Sequence, residues 1–198
     1  MTDMQSWVGP TFDRLAELLA DGPVETWDAP SLCADWQVRH VVAHVTMPAR
    51  LTPEQYGAEM AAARGDFTVL SNTVASRDAS LPLGVLLDQL RSPVLHAWQP
   101  PGGGAVGALS HAVVHSLDVT VALGRPAAAP GEAVVAVLDQ LTAAQGAWFG
   151  VDLTDVRLEA TDTAWSWGAG PAVRADSGSL LALLSGRTLP DGRALPRS

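Results

Sequence analysis

The segment from Val106 to Leu123 constrains the fold more than any other part of the chain, because Asp118 is its only charged residue. Its apolar residues recur at helical spacing, and Gly124 followed by Pro126 is typical of a helix end. We expect so apolar a helix to lie inside a helical bundle rather than on a wet surface. A membrane span is not expected, since prolines and three consecutive glycines interrupt the uncharged stretch 92–117.

A polar stripe runs along this predicted helix. At about 100° per residue, His111, His115 and Asp118 fall on one face, and leucines and valines occupy the other side. Two imidazoles one helical turn apart can both reach a single metal ion. The same pair is also compatible with two hydrogen-bonded interior histidines, because buried polar groups need partners. The spacing alone leaves both interpretations open.

A third histidine, His44, sits near the end of a predicted second helix and borders its valine face. Together with His111 and His115 it would supply three neutral nitrogen donors. Three protein ligands leave a fourth position for water or substrate, which is typical of a catalytic rather than a structural zinc site. We predict that His40, one turn earlier, is a surface or supporting residue, and we leave out His96, which lies at a helix end.

Asp118 and Cys33 each have two interpretations. Asp118 could be a fourth metal ligand, but a residue three positions after His115 can also accept the other ring N–H and fix the tautomer. We favour the second role. Cys33 is the single cysteine, and in a loop rich in tryptophan and proline we predict that it is a small buried hydrophobe.

The rest of the chain predicts further helices and then a change of period to short strands. The predicted helices cover residues 7–19, 37–46, 53 to about 77, 82–95 with a kink or break at Pro93, 131–148 and 180–184. The predicted strands cover residues 156–161, 164–167 and 172–175. This order indicates a mainly α, α+β protein with a helical bundle over residues 1–150 and a short α+β C-terminal domain over residues 151–198.

Composition excludes several classes of partner. The net charge is −9 and all twelve basic residues are arginine, so no lysine-rich patch is available for nucleic acid. Hydrophobic residues make up 47% and charged residues 17%, which excludes a disordered chain. A single cysteine and the lack of a basic, then apolar N-terminus predict a cytoplasmic protein. We expect a small-molecule substrate, no membrane partner, and either a monomer or a homodimer.

Four segments resemble the mycothiol-dependent maleylpyruvate isomerase family, part of the wider DinB-like metalloenzyme superfamily. They are WDAPSLC (Trp27 to Cys33), DWQVRHVVAH (Asp35 to His44), HAVVHSLD (His111 to Asp118) and LALLSGR (Leu181 to Arg187). The resemblance covers nearly the whole chain in order. It implies a DinB-like four-helix bundle followed by a small sterol-carrier-like α/β part.

The resemblance also implies a ligand set. His44, His111 and His115 would hold a divalent metal, usually zinc, with nickel as the alternative. The characterised isomerase of the family has Glu at the position of His111, so the site here carries one negative charge less. His40 stands where the family often has Asp. A neutral ligand set leaves the metal its full charge and makes it a stronger Lewis acid.

The implied chemistry is isomerisation or S-transfer with mycothiol as the thiol cosubstrate, acting on a small electrophile such as an unsaturated keto acid. Asp118 and Arg187 would be catalytic, and Arg187 would also bind the cofactor, since a guanidinium fork matches a carboxylate. Without the resemblance, we would interpret Arg187 as a C-terminal helix cap or a surface residue. A non-catalytic protein that binds metal or a small ligand, and a metal-free bundle, are the alternatives.

Overall fold

The structure is a computed structural model that describes residues 3–198. Its helices are α1 (Val8–Ala20), α2 (Val38–Val45), α3 (Pro53–Ala62), α4 (Phe67–Asp78), α5 (Leu83–Leu90), α6 (Pro93–Ala97), α7 (Gly104–Thr120), α8 (Gly131–Ala143) and α9 (Ser177–Leu184). Its strands are β1 (Arg157–Ala160), β2 (Ser166–Gly168) and β3 (Ala172–Ala175). The predicted mainly α, α+β class is therefore confirmed.

Helix α7 is enclosed by other elements, as its composition predicts. It packs against α1, α2, α8 and α9, and its leucines and valines from Leu109 to Val119 are buried. Helix α2 packs against α4 as well as α7, and α1 packs against α5 and α6. Burial of these apolar faces is what holds the helices together, since such short helices are marginal in isolation.

The predicted helix from 53 to about 77 is wrong as a single element, because the chain turns between α3 and α4. Arg64 and Gly65 adopt positive φ angles of 55° and 78°, which no continuous α-helix allows. Asp66 then starts α4 by accepting the backbone N–H groups of Thr68 and Val69. The break before α6 falls at Pro93, as predicted.

The predicted helix 131–148 also ends early. Helix α8 stops at Ala143, and Gly146 follows in the left-handed region with φ 74°. A side chain there would meet the carbonyl of Val151, so only glycine fits this turn. A short 3-10 helix, Ala147–Phe149, leads on to the sheet.

The small sheet has the order β2-β1-β3. Leu158 of β1 stands opposite Trp167 in the antiparallel pair and opposite Val173 in the parallel pair. Helix α9 packs on β1, β3, α7 and α8, and Leu158 and Leu180 belong to the same apolar core as the bundle. The division into domains at residue 150 stays a prediction. Within residues 3–198, none of the helices has the length and apolar character needed to cross a membrane.

Candidate metal centre

Helix α2 carries His44 into the bundle. Val38, Val41 and Val42 are fully buried, so the helix is fixed in rotation and His44, two residues on, is only 4% exposed. The Nδ1 atom of His44 lies 3.2 Å from the hydroxyl oxygen of Ser71 on α4. When the ring donates its Nδ1–H to this hydroxyl, the lone pair of Nε2 faces away from α4 and is free to bind.

Helix α7 brings His111 and His115 against His44. The His111 and His115 rings lie one turn apart and meet edge to face with centroids 4.9 Å apart, and the His115 ring is 4.8 Å from that of His44. The Nε2 atoms of His44 and His111 are 3.3 Å apart. Each of the three residues offers one ring nitrogen within 4.8 Å of the other two. The structure thus brings all three predicted metal ligands together.

The geometry and chemistry of this cluster fit a divalent metal ion. Two nitrogens bound tetrahedrally to one zinc at about 2.0–2.1 Å lie about 3.3 Å apart, which is the spacing between His44 and His111. Burial, reinforced by the neighbouring imidazole charges, lowers the pKa of His44 and His111 well below the usual histidine value. Both rings are therefore neutral at pH 7, which is the form that binds metal.

Asp118 lies behind His115 rather than beside the other two histidines. Its Oδ2 accepts the Nδ1–H of His115 at 2.8 Å, and the carboxylate is fully buried. Burial alone would raise the pKa of Asp118, but hydrogen bonds from His115 and Arg187 outweigh it and lower the pKa to about 2. This arrangement favours the orienting role for Asp118 over the ligand role, because its accepted bond leaves Nε2 of His115 free.

Arg187 holds Asp118 from the other side. Its Nε and Nη2 donate to Oδ1 and Oδ2 of Asp118 at 2.7 and 3.0 Å. This bidentate ion pair joins the C-terminal segment to the bundle. The contact spans 69 residues of sequence. In this structure the Arg187 guanidinium therefore binds the buried carboxylate of Asp118, and not a carboxylate of a cofactor.

Cys33 completes this network, and the sequence prediction missed its polar contacts. Cys33 packs against the apolar core but is only partly buried, where a buried hydrophobe was predicted. Its thiol donates to Oδ2 of Asp118 at 3.0 Å and lies 3.4 Å from Nη2 of Arg187. Burial, followed by the negative charge of Asp118, raises the pKa of the Cys33 thiol. Cys33 is therefore a protonated hydrogen-bond donor here. Cys33, His115 and Asp118 also lie close enough together to hold a metal ion, but the adjacent Arg187 cation disfavours one there.

The other two histidines stay outside the cluster, as predicted. His40 Nδ1 accepts the backbone N–H of Gln37 at the start of α2. His96 Nε2 is 2.8 Å from the carbonyl oxygen of Leu90. Both rings support local backbone structure.

Aromatic side chains surround the histidine cluster. Trp36 and Phe67 lie with ring centroids 5.2 and 6.4 Å from that of His44, and Trp98 lies 5.3 Å from His111. Trp36 belongs to a segment that carries the family resemblance, but the sequence did not decide whether the tryptophans line a cavity or belong to the core, and it gave no site role to Phe67 or Ser71. No motif marks Ser71, because its role arises only from the packing of α4 on α2.

Comparison with known proteins gives one family and one fold. Residues 8–119 match the family model of the mycothiol maleylpyruvate isomerase N-terminal domain. A crystal structure of mycothiol-dependent maleylpyruvate isomerase superposes with a TM-score of 0.53 at 15% identity, covering 98% of this chain and 95% of that one. A structure of a histidine-to-alanine mutant of that enzyme gives 0.55 at 14% identity, with the same coverage. None of the curated protein sequences compared matches significantly.

Proposed function

We propose that this chain, which belongs to the mycothiol maleylpyruvate isomerase N-terminal domain family, is a divalent-metal-dependent enzyme that uses a low-molecular-weight thiol. Mycothiol is the thiol we propose, and the reaction is isomerisation or S-transfer on a small electrophile such as an unsaturated keto acid. The observation that carries this proposal is the cluster of His44, His111 and His115, with its ring nitrogens converging inside the bundle.

These three histidines would hold the metal, with zinc or nickel suited to imidazole donors. A bound divalent ion with an open fourth position supplies Lewis acidity, which lowers the pKa of a thiol or polarises a carbonyl. The protein has to keep each ring in one tautomer and orientation. Ser71 does this for His44, and Asp118 does it for His115.

Asp118 is itself held in place by its remaining partners. Arg187 and Cys33 donate to the same carboxylate that receives the His115 N–H. Four donated hydrogen bonds on its two oxygens hold the carboxylate in its place behind His115. We therefore propose positioning roles for Asp118 and Arg187, in place of direct contact with the reacting atoms.

The reaction conserves atoms and electrons in either outcome. In isomerisation the thiolate sulfur adds to the activated double bond, and the resulting single bond rotates. The carbon–sulfur bond then breaks to release the trans isomer and the unchanged thiolate. In S-transfer the adduct takes up a proton and is released, with the thiol consumed.

A cavity beside Arg187 supports a place for the thiol. It has a volume of about 630 Å³ and is lined by Arg187, Arg197, Thr188 and Ser31, among others. Its basic and hydroxyl groups suit the polar body of a low-molecular-weight thiol. Arg187 links this cavity to the histidines through Asp118, which is the cofactor-binding role we propose for it.

A non-catalytic metal- or ligand-binding role is the second candidate. One observation favours it: both oxygens of Asp118, the carboxylate that contacts the cluster, already accept hydrogen bonds from protein groups and are poorly placed to act as a base. The two candidates differ in turnover. Zinc-loaded protein should accelerate the change in the electrophile's ultraviolet spectrum only when thiol is present, and chelated protein should not. Isomerisation shifts the absorbance of the conjugated double bond, whereas S-transfer removes it.

The assay uses mycothiol with maleylpyruvate and with simpler unsaturated ketones as electrophiles. Asp118→Asn should lower the metal- and thiol-dependent rate by about ten- to a hundredfold, because the His115 ring loses the carboxylate that orients it. If no combination of thiol and electrophile gives a metal-dependent reaction, the binding role replaces the enzymatic one.

A further inference from the structure

A cavity of about 580 Å³ opens between residues 47–56 and residues 94–101, and we call it the apolar groove. Met47, Leu51, Tyr56, Val94, Trp98 and Pro101 form much of its wall. Sites for small molecules typically have volumes of about 300–1,000 Å³ and mostly apolar walls. The groove therefore has the size and character of a binding site for a small organic molecule.

Trp98 connects the apolar groove to the histidine cluster. Its ring forms part of the groove wall and meets the His111 ring edge-on, at a centroid distance of 5.3 Å and an angle of 61°. A molecule that packs on Trp98 is thus one ring away from a predicted metal ligand. The groove therefore lies next to the histidine cluster, with Trp98 shared between them.

The charge in the groove is already neutralised. Arg50 is the single charged residue among the described residues that line it. Four of the five N–H groups of its guanidinium donate hydrogen bonds inside the protein, to Asp78 Oδ2, Thr46 Oγ1, Gln89 Oε1 and the carbonyl oxygen of Ala43. Its Nη2 also forms an ion pair with Asp78 at 2.9 Å. A substrate carboxylate would therefore have to compete for Arg50 with Asp78, which forms a largely buried ion pair with it.

We infer that the apolar groove binds the body of an uncharged electrophile, such as an aryl- or branched-alkyl-substituted unsaturated ketone, in preference to a dicarboxylate. The reaction assigned to this electrophile rests on the proposed function, whereas its binding does not. A carboxylate placed in the groove would lose water and find few uncommitted donors, chiefly the hydroxyl groups of Tyr56 and Thr52. The net charge of −9 further disfavours a dianion.

Binding is measured on metal-free protein without thiol. The neutral fluorescent probe N-phenyl-1-naphthylamine is bound first and then displaced by 4-phenyl-3-buten-2-one or by its 4-carboxyphenyl analogue, which differ by one carboxylate. The uncharged ketone should displace the probe at a concentration at least about tenfold lower than the carboxylated one requires. Equal potency, or a preference for the carboxylated ketone, would overturn the inference.

Two pairs of variants assign the binding to the groove. Val94 lines the groove and is 60% exposed, and Val24 is 59% exposed but is not part of the groove wall. Val94→Arg places a positive charge in the groove wall and should reduce the ratio of the displacing concentrations of the two ketones by about two- to fivefold, the effect of one exposed charge pair. Val24→Arg should leave this ratio unchanged. Trp98→Ala should weaken probe binding by about threefold or more, and Trp148→Ala should not. Variants that behave like their controls would contradict the assignment.

The two proposals fail in different ways. If the uncharged ketone binds at Trp98 but no thiol- and metal-dependent turnover occurs, the proposed function is wrong and the groove assignment stands. If maleylpyruvate is turned over while the uncharged ketone neither binds nor reacts, the groove assignment is wrong and the proposed function stands.

Discussion

Arg187→Met is expected to destabilise the protein more than the loss of a surface charge would. Asp118 is fully buried and the Arg187 side chain is 22% exposed, so the substitution leaves a buried carboxylate without its cation. Removing one partner of a buried pair costs about 3–5 kcal/mol. Because His115 and Cys33 still donate to Asp118, we expect a loss of about 3 kcal/mol in the free energy of unfolding at pH 7.

The assay is urea denaturation of metal-free protein, followed by circular dichroism. In a thermal scan of the same metal-free protein, a loss of about 3 kcal/mol should lower the Tm of a chain of this length by about 6–12 °C. Arg193→Met is the matched control, since Arg193 pairs with Asp191 and both side chains are about half exposed. That substitution should cost less than about 1 kcal/mol.

A double-mutant cycle separates the ion pair from general damage. In an Asp118→Asn background the buried negative charge is gone, so Arg187→Met should cost about 2 kcal/mol less than it does in the wild-type protein. If the two substitutions are additive, or if Arg187→Met is no worse than the exposed control at position 193, the reasoning about this pair is refuted.

Two further predictions concern the support of His44 and the acid side of the stability curve. Ser71→Ala should weaken zinc binding by about tenfold, because His44 loses the hydroxyl that orients its ring. The zinc affinity is measured by competition with a chelating dye, and Ser76→Ala on the exposed side of α4 is the control that should leave it unchanged. Equal zinc affinities of the two variants would contradict the role of Ser71. Burial raises the pKa of Asp78, but hydrogen bonding and charge from its arginine neighbours outweigh it and hold the folded-state pKa below the usual value. The stability that the lowered pKa provides is complete above about pH 5 and is lost as the pH falls below about 4. In Asp78→Asn the free energy of unfolding should therefore decline less steeply between about pH 5 and about pH 3 than it does in the wild-type protein. The same steepness in both proteins would refute this role of Asp78.

The helices of the bundle could be predicted from the sequence because their apolar spacing is unambiguous. The stripe on α7 placed His111, His115 and Asp118 on one face without any tertiary information. The turn between α3 and α4 escaped prediction because Arg64, a residue with no preference for positive φ, takes part in it. The strand from 172 to 175 was predicted at its observed bounds.

The supporting contacts of the site were not predictable from one sequence. Ser71 meets His44 only because α4 packs on α2, and a serine in the middle of a helix carries no signal of its own. Cys33 reaches Asp118 because the backbone N–H of Leu32 donates to the Asp118 carbonyl and draws the loop onto α7. Such contacts depend on tertiary packing across many residues, which local spacing does not encode.

The most direct test of the metal centre is the metal content of untagged protein, measured by mass spectrometry. The wild-type protein should contain about one equivalent of a divalent metal such as zinc or nickel. His44→Ala should lose most of it, and His96→Ala, whose ring lies outside the cluster, should retain it. A stably folded wild-type protein that stays metal-free after exposure to zinc and nickel would contradict the three-histidine site.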